Sequence, residues 1–306
     1  MPARARRIWR GLTHERAWAV AVLEEDLGAV LDGATLTPHV LAAPQRDRFW
    51  ADPFPARDAA GALWIFVEEL ERWRGLGSIA ALRVESGVVV EHRIVLRSSH
   101  HFSFPQVHRT PAGWIATVET CDPDAHIYTF DAPGEPWRPT GDHLPVGIID
   151  PALATPLDAG RQYLTGSPAS DVTGGYRQWV RVKDGSWNPQ PEVAFHDDTL
   201  GRNAGNTDGA RGLRSVQDCA ANYGVAASVV AWEPGARGPG AVHRRIEGSD
   251  VGFGALGTHT ISWTPDGATV VMDVWKRARQ PLSAVHRALE QRHGRTCRGR
   301  RAAAEE

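Results

Sequence analysis

Trp50-Ala51-Asp52-Pro53-Phe54 is the stretch that decides how this chain is read, because variants of it return along the sequence. Phe102-Ser103-Phe104-Pro105-Gln106, Ile149-Asp150-Pro151-Ala152-Leu153 and Val216-Gln217-Asp218-Cys219 each join an acidic or amide residue to an apolar, strand-like run, and a fifth unit enters at Thr258-His259-Thr260. The steps from Asp52 to Phe104, Asp150, Gln217 and His259 are 52, 46, 67 and 42 residues. Such an interval, with strand patterning inside it, predicts a toroidal all-β array rather than a helical solenoid. Function is then expected where the repeats converge.

Working outward, the motifs are followed by the runs Leu63 to Val67, Trp114 to Val118, Gln162 to Thr165, Val225 to Trp232 and Ala268 to Val274. Hairpin dipeptides such as Asp184-Gly185 and Asp266-Gly267 separate later strands of each unit. Twelve tryptophans, 31 glycines and 21 prolines spread along the chain fit many short strands joined by tight turns. The expected architecture is a five-bladed β-propeller over residues 17–276, after an N-terminal extension at 1–16. A C-terminal helix and disordered tail are expected over 277–306, the helix from the spacing of Leu282, Val285 and Leu289. An open ring would leave two strand edges exposed, so Ala17 to Leu23 is expected to close it on the last blade. The Gly, Asn and Asp-rich stretch Phe195 to Arg214 is expected to be an insertion looping over one face, which would explain the step of 67.

Composition narrows the partners. With 306 residues and 42% hydrophobic content the chain can bury a large core in one domain. Lys plus Arg (34) nearly balances Asp plus Glu (36), which supplies no attraction for nucleic acid or an anionic membrane. No run approaches the roughly 18 apolar residues of a membrane span. Cys121, Cys219 and Cys297 are odd in number and lack any CxxC pairing, which argues against a disulfide framework and a zinc site and makes a reducing cytoplasm the simpler setting.

In a propeller the innermost strands surround one channel, so Asp52, Gln106, Asp150, Gln217 or Asp218, and His259 would form a ring. Carboxylates around one polar cavity are driven to different pKa values by repulsion and unequal burial, giving a base and an acid at the same pH. Glycoside hydrolysis needs such a pair. Trp50, Phe54, Phe102, Phe104 and Trp114 stand beside the acids as candidates to stack on sugar rings.

Trp50 to Phe54, Phe66-Val67-Glu68-Glu69, His101 to Val107, Val118-Glu119-Thr120, Gln217-Asp218-Cys219 with Tyr223-Gly224, and Leu256-Gly257-Thr258-His259-Thr260 appear in this order. The set resembles the N-terminal domain of the glucosamine inositolphosphorylceramide transferase family of plants and its bacterial relatives, a five-bladed propeller related to glycoside hydrolase family 43, across about residues 17 to 276. The resemblance implies a sugar-acting or sugar-binding propeller. It implies Asp52 as the general base that activates water and Asp150 as the aspartate that tunes the acid and orients substrate. Glu119 is implied as the general acid, with Glu69 in competition. His259 matches a channel histidine that holds water or a divalent ion, and no other cofactor is implied. Trp50, Glu69, Phe104, Gln106, Gln217, Asp218 and His259 are the expected substrate contacts. The second blade carries Ser103-Phe104-Pro105-Gln106 where a hydrolase of that kind places an aspartate. A module that recognises carbohydrate for a separately encoded glycosyltransferase is therefore the rival expectation, and recruitment to small-molecule biosynthesis a third.

Overall fold

Short antiparallel strands with one apolar face must bury that face against a neighbouring sheet, and this chain does so repeatedly. The computed structural model describes residues 14–43, 45, 47–122, 124–155, 160–182, 185–279, 285–286 and 288–289. Arg48–Arg57 pairs with Leu63–Glu71, then Leu76–Glu85, then Val88–Leu96, each antiparallel to the last. Phe102–Thr110, Gly113–Thr120, His126–Phe130 and Arg138–His143 repeat the pattern, as do Ile148–Thr155, Arg161–Pro168, Gly175–Val182 and Asn188–Pro189. Asn203–Asp208, Leu213–Asp218, Ala226–Ala231 and Val242–Glu247 follow. The final unit begins with Ile261–Trp263 and Val270–Arg279 and is completed from the other end of the sequence by His14–Leu23 and Pro38–Leu41. First strands of successive units also meet in parallel, Ala154 opposite Thr207 and Gly205 opposite Ile261.

The chain is thus all-β with several sheets, and the apolar run at 17–23 closes on the last unit as its patterning led us to expect. Trp18 lies opposite Trp275, and Val20 opposite Asp273. The core is not one central mass. It lies between units: Phe66 and Ile79 of the first pack on Phe102, Trp114 and Phe130 of the second, and Ile127 and Leu144 pack on Ile148, Leu164 and Trp179. Val20, Leu41 and Val271 pack on Trp50 and Ile65, sealing the join between last and first units. Fully burying each such side chain contributes about 1.5–3 kcal/mol.

Two expectations are corrected. Phe195 to Arg214 is not an insertion: it contains Asn203–Asp208, the first strand of its unit, and Gln217 lies on the second. The apolar signal pointed to the wrong strand because a first strand wrapped by other backbone pairs its buried polar side chains instead of alternating with solvent. Asn203, Thr207 and Asp208 are all buried. Cys121 is disulfide-bonded and Cys219 is free, so the absence of close cysteine pairs did not mean absence of a disulfide, and the ground for a reducing compartment goes with it. Most of the expected C-terminal helix and tail falls outside the described residues. Of it, 285–286 and 288–289 are helical, and the His286 ring stands edge-on to Trp73 with centroids 4.7 Å apart. Among the described residues no helix is long and apolar enough to cross a membrane.

Candidate functional site

The recurring motif turns out to be a β-bulge. At Asp52, Phe104 and Asp150 the backbone enters the left-handed region, with φ of +50°, +51° and +48°, and the pairing register slips there in all three first strands. A proline follows each, at a place where the ladder has no use for its missing N–H. Left-handed φ at a non-glycine residue costs about 1–3 kcal/mol and persists only where its surroundings enforce it. Here the enforcing contact is the same each time. The bulge frees one backbone amide, and a carboxylate from the preceding unit takes it. Asp52 N donates to Asp273 Oδ2 at 3.2 Å, Phe104 N to Asp52 Oδ2 at 3.2 Å, and Asp150 N to Glu119 Oε2 at 3.2 Å. Asn203 Nδ2 then donates to the Asp150 carbonyl at 2.8 Å. The repeat therefore positions acids twice over, once by bending the strand that carries them and once by offering them an amide.

Asp52, Glu119, Asp150 and His259 line one cavity of about 230 Å³, with Glu68, His101, Arg202, Tyr223, Trp18 and Phe49 among its other walls. Phe54 and Phe104 meet edge to face at 4.9 Å and, with Ala152, form a separate buried apolar cluster.

One wall is built around His259. Its Nδ1 stands 2.5 Å from Asp273 Oδ2 and its Nε2 3.4 Å from Asp52 Oδ1, and Trp18 lies over the ring at 4.1 Å. Asp273 Oδ1 accepts from the backbone amides of His259 (2.9 Å) and Thr260 (3.1 Å). Burial alone would lower the imidazole pKa, but Asp273 and Asp52 raise it above its ordinary value. Asp52 also accepts from Thr260 Oγ1 at 2.8 Å. Its own pKa is raised, by burial first and by Asp273 and Glu119 after it, against the lowering effect of His259. Asp52, His259 and Asp273 offer ligand atoms within 4.8 Å of one another, an oxygen–nitrogen–oxygen set that suits a divalent cation. Coordination would have to replace the His259–Asp273 contact.

The opposite wall is built around Asp150. Arg202 Nε donates to Asp150 Oδ2 at 2.6 Å and Gln217 Nε2 at 3.2 Å. Burial pushes Asp150 up to about 7, against the pull of Arg202, and both the charge of Glu119 and a hydrogen bond with it act in the same direction as burial. Two carboxyls in hydrogen-bonding contact retain a proton between them near neutral pH. Arg202 is held further by the Val172 carbonyl at 3.0 Å and lies 5.1 Å over the Tyr223 ring.

The remaining expected contacts go elsewhere. Glu69 is on the far side of its strand from Glu68 and is fully engaged by Arg48, Trp50 Nε1 (2.9 Å) and His92 Nε2 (2.8 Å). Burial would raise its pKa, but these donors hold it at about 2, unsuited to giving up a proton at neutral pH. Trp50 is buried in the apolar join with the last unit. Gln106 spans to the next first strand, donating to the Leu153 carbonyl and accepting its amide at 2.6 Å. Phe104 lies in the buried cluster, and Asp218 pairs with Arg245 at 2.8 Å. Gln217 reaches the site only through Asp150. All five aromatics expected to stack on sugar are buried. Arg202, Asp273, Glu68, His101, Trp18 and Tyr223 were not foreseen as site residues. Asp273 did carry a signal, a single acid within Val270-Val271-Met272-Asp273-Val274-Trp275.

No family model matches the chain. No curated protein matches it either. Solved structures do. One is from work on the GH130 family of mannoside phosphorylases, described as containing glycoside hydrolases that target β-1,2 mannosidic linkages in Candida mannan; it is 11% identical, with a TM-score of 0.49 over 87% of this chain and 98% of that one. Another is a GH43_1 enzyme from Xanthomonas citri, 14% identical, with a TM-score of 0.47 over 78% and 90% of the two chains. A third is a native Bacillus subtilis arabinanase, 11% identical, with a TM-score of 0.42 over 76% and 94%.

Proposed function

We propose that the chain is a five-bladed propeller acting on a glycosidic bond of a sugar or glycoconjugate in this cavity. One observation carries the reading. A carboxyl pair that retains a proton near neutral pH, Glu119 with Asp150, shares a small cavity with a second buried aspartate, Asp52, whose partner is a histidine raised toward its charged form. Hydrolysis requires a proton donor at the leaving oxygen and a carboxylate that activates water or attacks the anomeric carbon. In this reading Glu119 donates, being only half-buried. Asp150 holds the proton available to it, and Arg202 limits how far Asp150 drifts from ionisation. Asp52 is the base: burial, Asp273 and Glu119 raise its pKa, and His259 and Thr260 oppose that rise. Motif order supports kinship with the N-terminal domain of the glucosamine inositolphosphorylceramide transferase family, also as a proposal. If a divalent ion binds, Asp52, His259 and Asp273 would hold it, and it would supply charge to orient a water or a sugar hydroxyl.

A second reading is favoured by a specific feature. Both oxygens of Asp52 are already engaged within the protein, as they would be in a structural pin. On that reading the cavity recognises carbohydrate without cleaving it, for a separately encoded glycosyltransferase. Assaying a panel of glycosides for binding and for cleavage, with wild type and Glu119→Gln, decides between them. The catalytic reading expects cleavage by wild type and a loss of about 10²- to 10⁴-fold in the variant. Binding without cleavage, indifferent to the substitution, establishes the recognition module instead.

A further inference from the structure

Arg214, on the second strand of the fourth unit, is buried as deeply as the apolar core, at 2% exposure, and no carboxylate among the described residues balances its charge. Burial lowers its pKa to about 10, which leaves the guanidinium charged at neutral pH, and the Tyr176 ring lies 4.3 Å from it. A buried charge without a counter-charge is destabilising, and an apolar side chain of similar volume would fill the same space at less cost. Packing alone therefore does not explain it.

The guanidinium holds a turn. Nη2 donates to the Leu200 carbonyl at 2.6 Å, and Nη1 donates to the Gly201 carbonyl at 3.0 Å and to Asn203 Oδ1 at 3.1 Å. These acceptors flank Arg202 on both sides. Leu200 and Gly201 lie in a turn, and the strand begins only at Asn203. Arg202 accepts the Gln217 amide at its carbonyl (3.0 Å), donates through Nη1 to the Val172 carbonyl, and holds Nε 2.6 Å from Asp150 Oδ2. The turn is also closely packed, since a Cβ on Gly201 would stand 1.7 Å from the Gly174 carbonyl oxygen.

We propose that Arg214 is a positioning residue, which fixes the turn at 200–203 so that Arg202 stays aimed at the Asp150 carboxyl. An arginine suits the task because its planar fork reaches several acceptors at once, whereas a lysine offers a single nitrogen. Asp150 also responds to Glu119, His259, Tyr223 and Cys219, and none of these is among the groups that Arg214 holds. The proposal rests on the proposed function only in treating the protonation of Asp150 as part of the chemistry.

The test is a carboxyl NMR titration of aspartate-labelled protein, with the Asp150 signal identified from Asp150→Asn. Wild type should titrate at about 7. Arg214→Lys keeps the charge and loses the fork, so the midpoint should rise by about one pH unit, because a misaimed Arg202 lowers it less. Arg214→Gln, which leaves no buried charge behind, is the second variant and should move the midpoint in the same direction. In an Arg202→Met background neither substitution should move it further. A midpoint unmoved in both variants overturns the proposal whatever the melting temperature does, since a residue that only supports the fold changes the melting temperature alone. A shift that persists without Arg202 overturns the route through it. The glycoside panel is a separate readout: a moved midpoint in a protein that cleaves nothing upholds the part given to Arg214 and sinks the glycosidase reading, and cleavage with an unmoved midpoint does the reverse.

Discussion

Asp52 and Asp150 sit in the same local structure and have different surroundings. Both are left-handed bulge residues before a proline, both are buried, and both line the same cavity. Asp52 faces His259, whose own charge is secured by Asp273; Asp150 faces Arg202 and shares a hydrogen bond with Glu119. A repeated backbone device fixes where each carboxyl lies, and the neighbours contributed by other units fix what each can do. The sharpest way to break the comparison is to neutralise each acid in turn. Asp52→Asn is expected to lower kcat/KM for glycoside cleavage by about 10²- to 10⁴-fold, the range for loss of a general base. Asp150→Asn should cost less, because Glu119 keeps a hydrogen-bond partner. The reverse ranking, measured under the same conditions, would exchange the two roles.

The cations differ in what their loss should do. Arg202 is 12% exposed at its side chain and Asp150 5%, so Arg202→Met removes one partner of a buried pair and should destabilise by about 3–5 kcal/mol in denaturant unfolding. It should also raise the Asp150 pKa further, since Arg202 is what lowers it. His259→Gln leaves Asp52 with Thr260 and the Phe104 amide, and a smaller loss of stability is expected. Equal losses would mean that Asp150 does not depend on its arginine.

A third, smaller effect follows from pH. Asp150 has a free value of 3.8 and stands at about 7 in the fold. Between those values the folded chain holds a proton that the unfolded chain has released, so this group's contribution to stability declines as pH rises from about 4 to about 7 and levels off above. Cleavage that uses the proton shared by Glu119 and Asp150 should likewise fall as pH rises through about 7. In Glu119→Gln the charge that raises Asp150 is gone, so the stability limb should move to lower pH. An unmoved limb in a melting-temperature series would uncouple the pair.

How much of this was legible in the sequence divides along the same line. Asp52 and Asp150 could be found because the bulge leaves a local signature, an acid before proline beside an apolar run. The strand at Asn203–Asp208 could not be found that way, because its inward side chains pair with neighbouring strands and follow no hydrophobic alternation. With Gly205 at the bulge, φ +146°, the interval from Asp150 to His259 is divided almost evenly, a regularity hidden by the more apolar second strand at Val216. Arg202 was lost for the same reason, being read as loop. Asp273 belongs to a second strand and acts through backbone amides of two other segments, a relation with no trace in local spacing. The aromatic candidates are instead buried in apolar clusters, Phe102 and Trp114 in one, Trp50 in a second, Phe54 and Phe104 in a third, and closeness to an acid in the sequence does not reveal that burial.

Glu69 gives the smallest expected effect on activity and the cleanest control for the comparison. It is adjacent to Glu68, which lines the cavity, yet alternation along the strand turns it outward to Arg48, Trp50 and His92. Three donors hold it ionised at about 2. Glu69→Gln keeps the size of the side chain and removes the charge those donors need, so stability should drop by about 1–3 kcal/mol. Glycoside cleavage per folded molecule should stay within about twofold, since an alteration away from the reacting groups leaves the transition state untouched. If the substitution instead removes activity at unchanged stability, the acid chemistry belongs to the outward face, and the bulge carboxylates are structural.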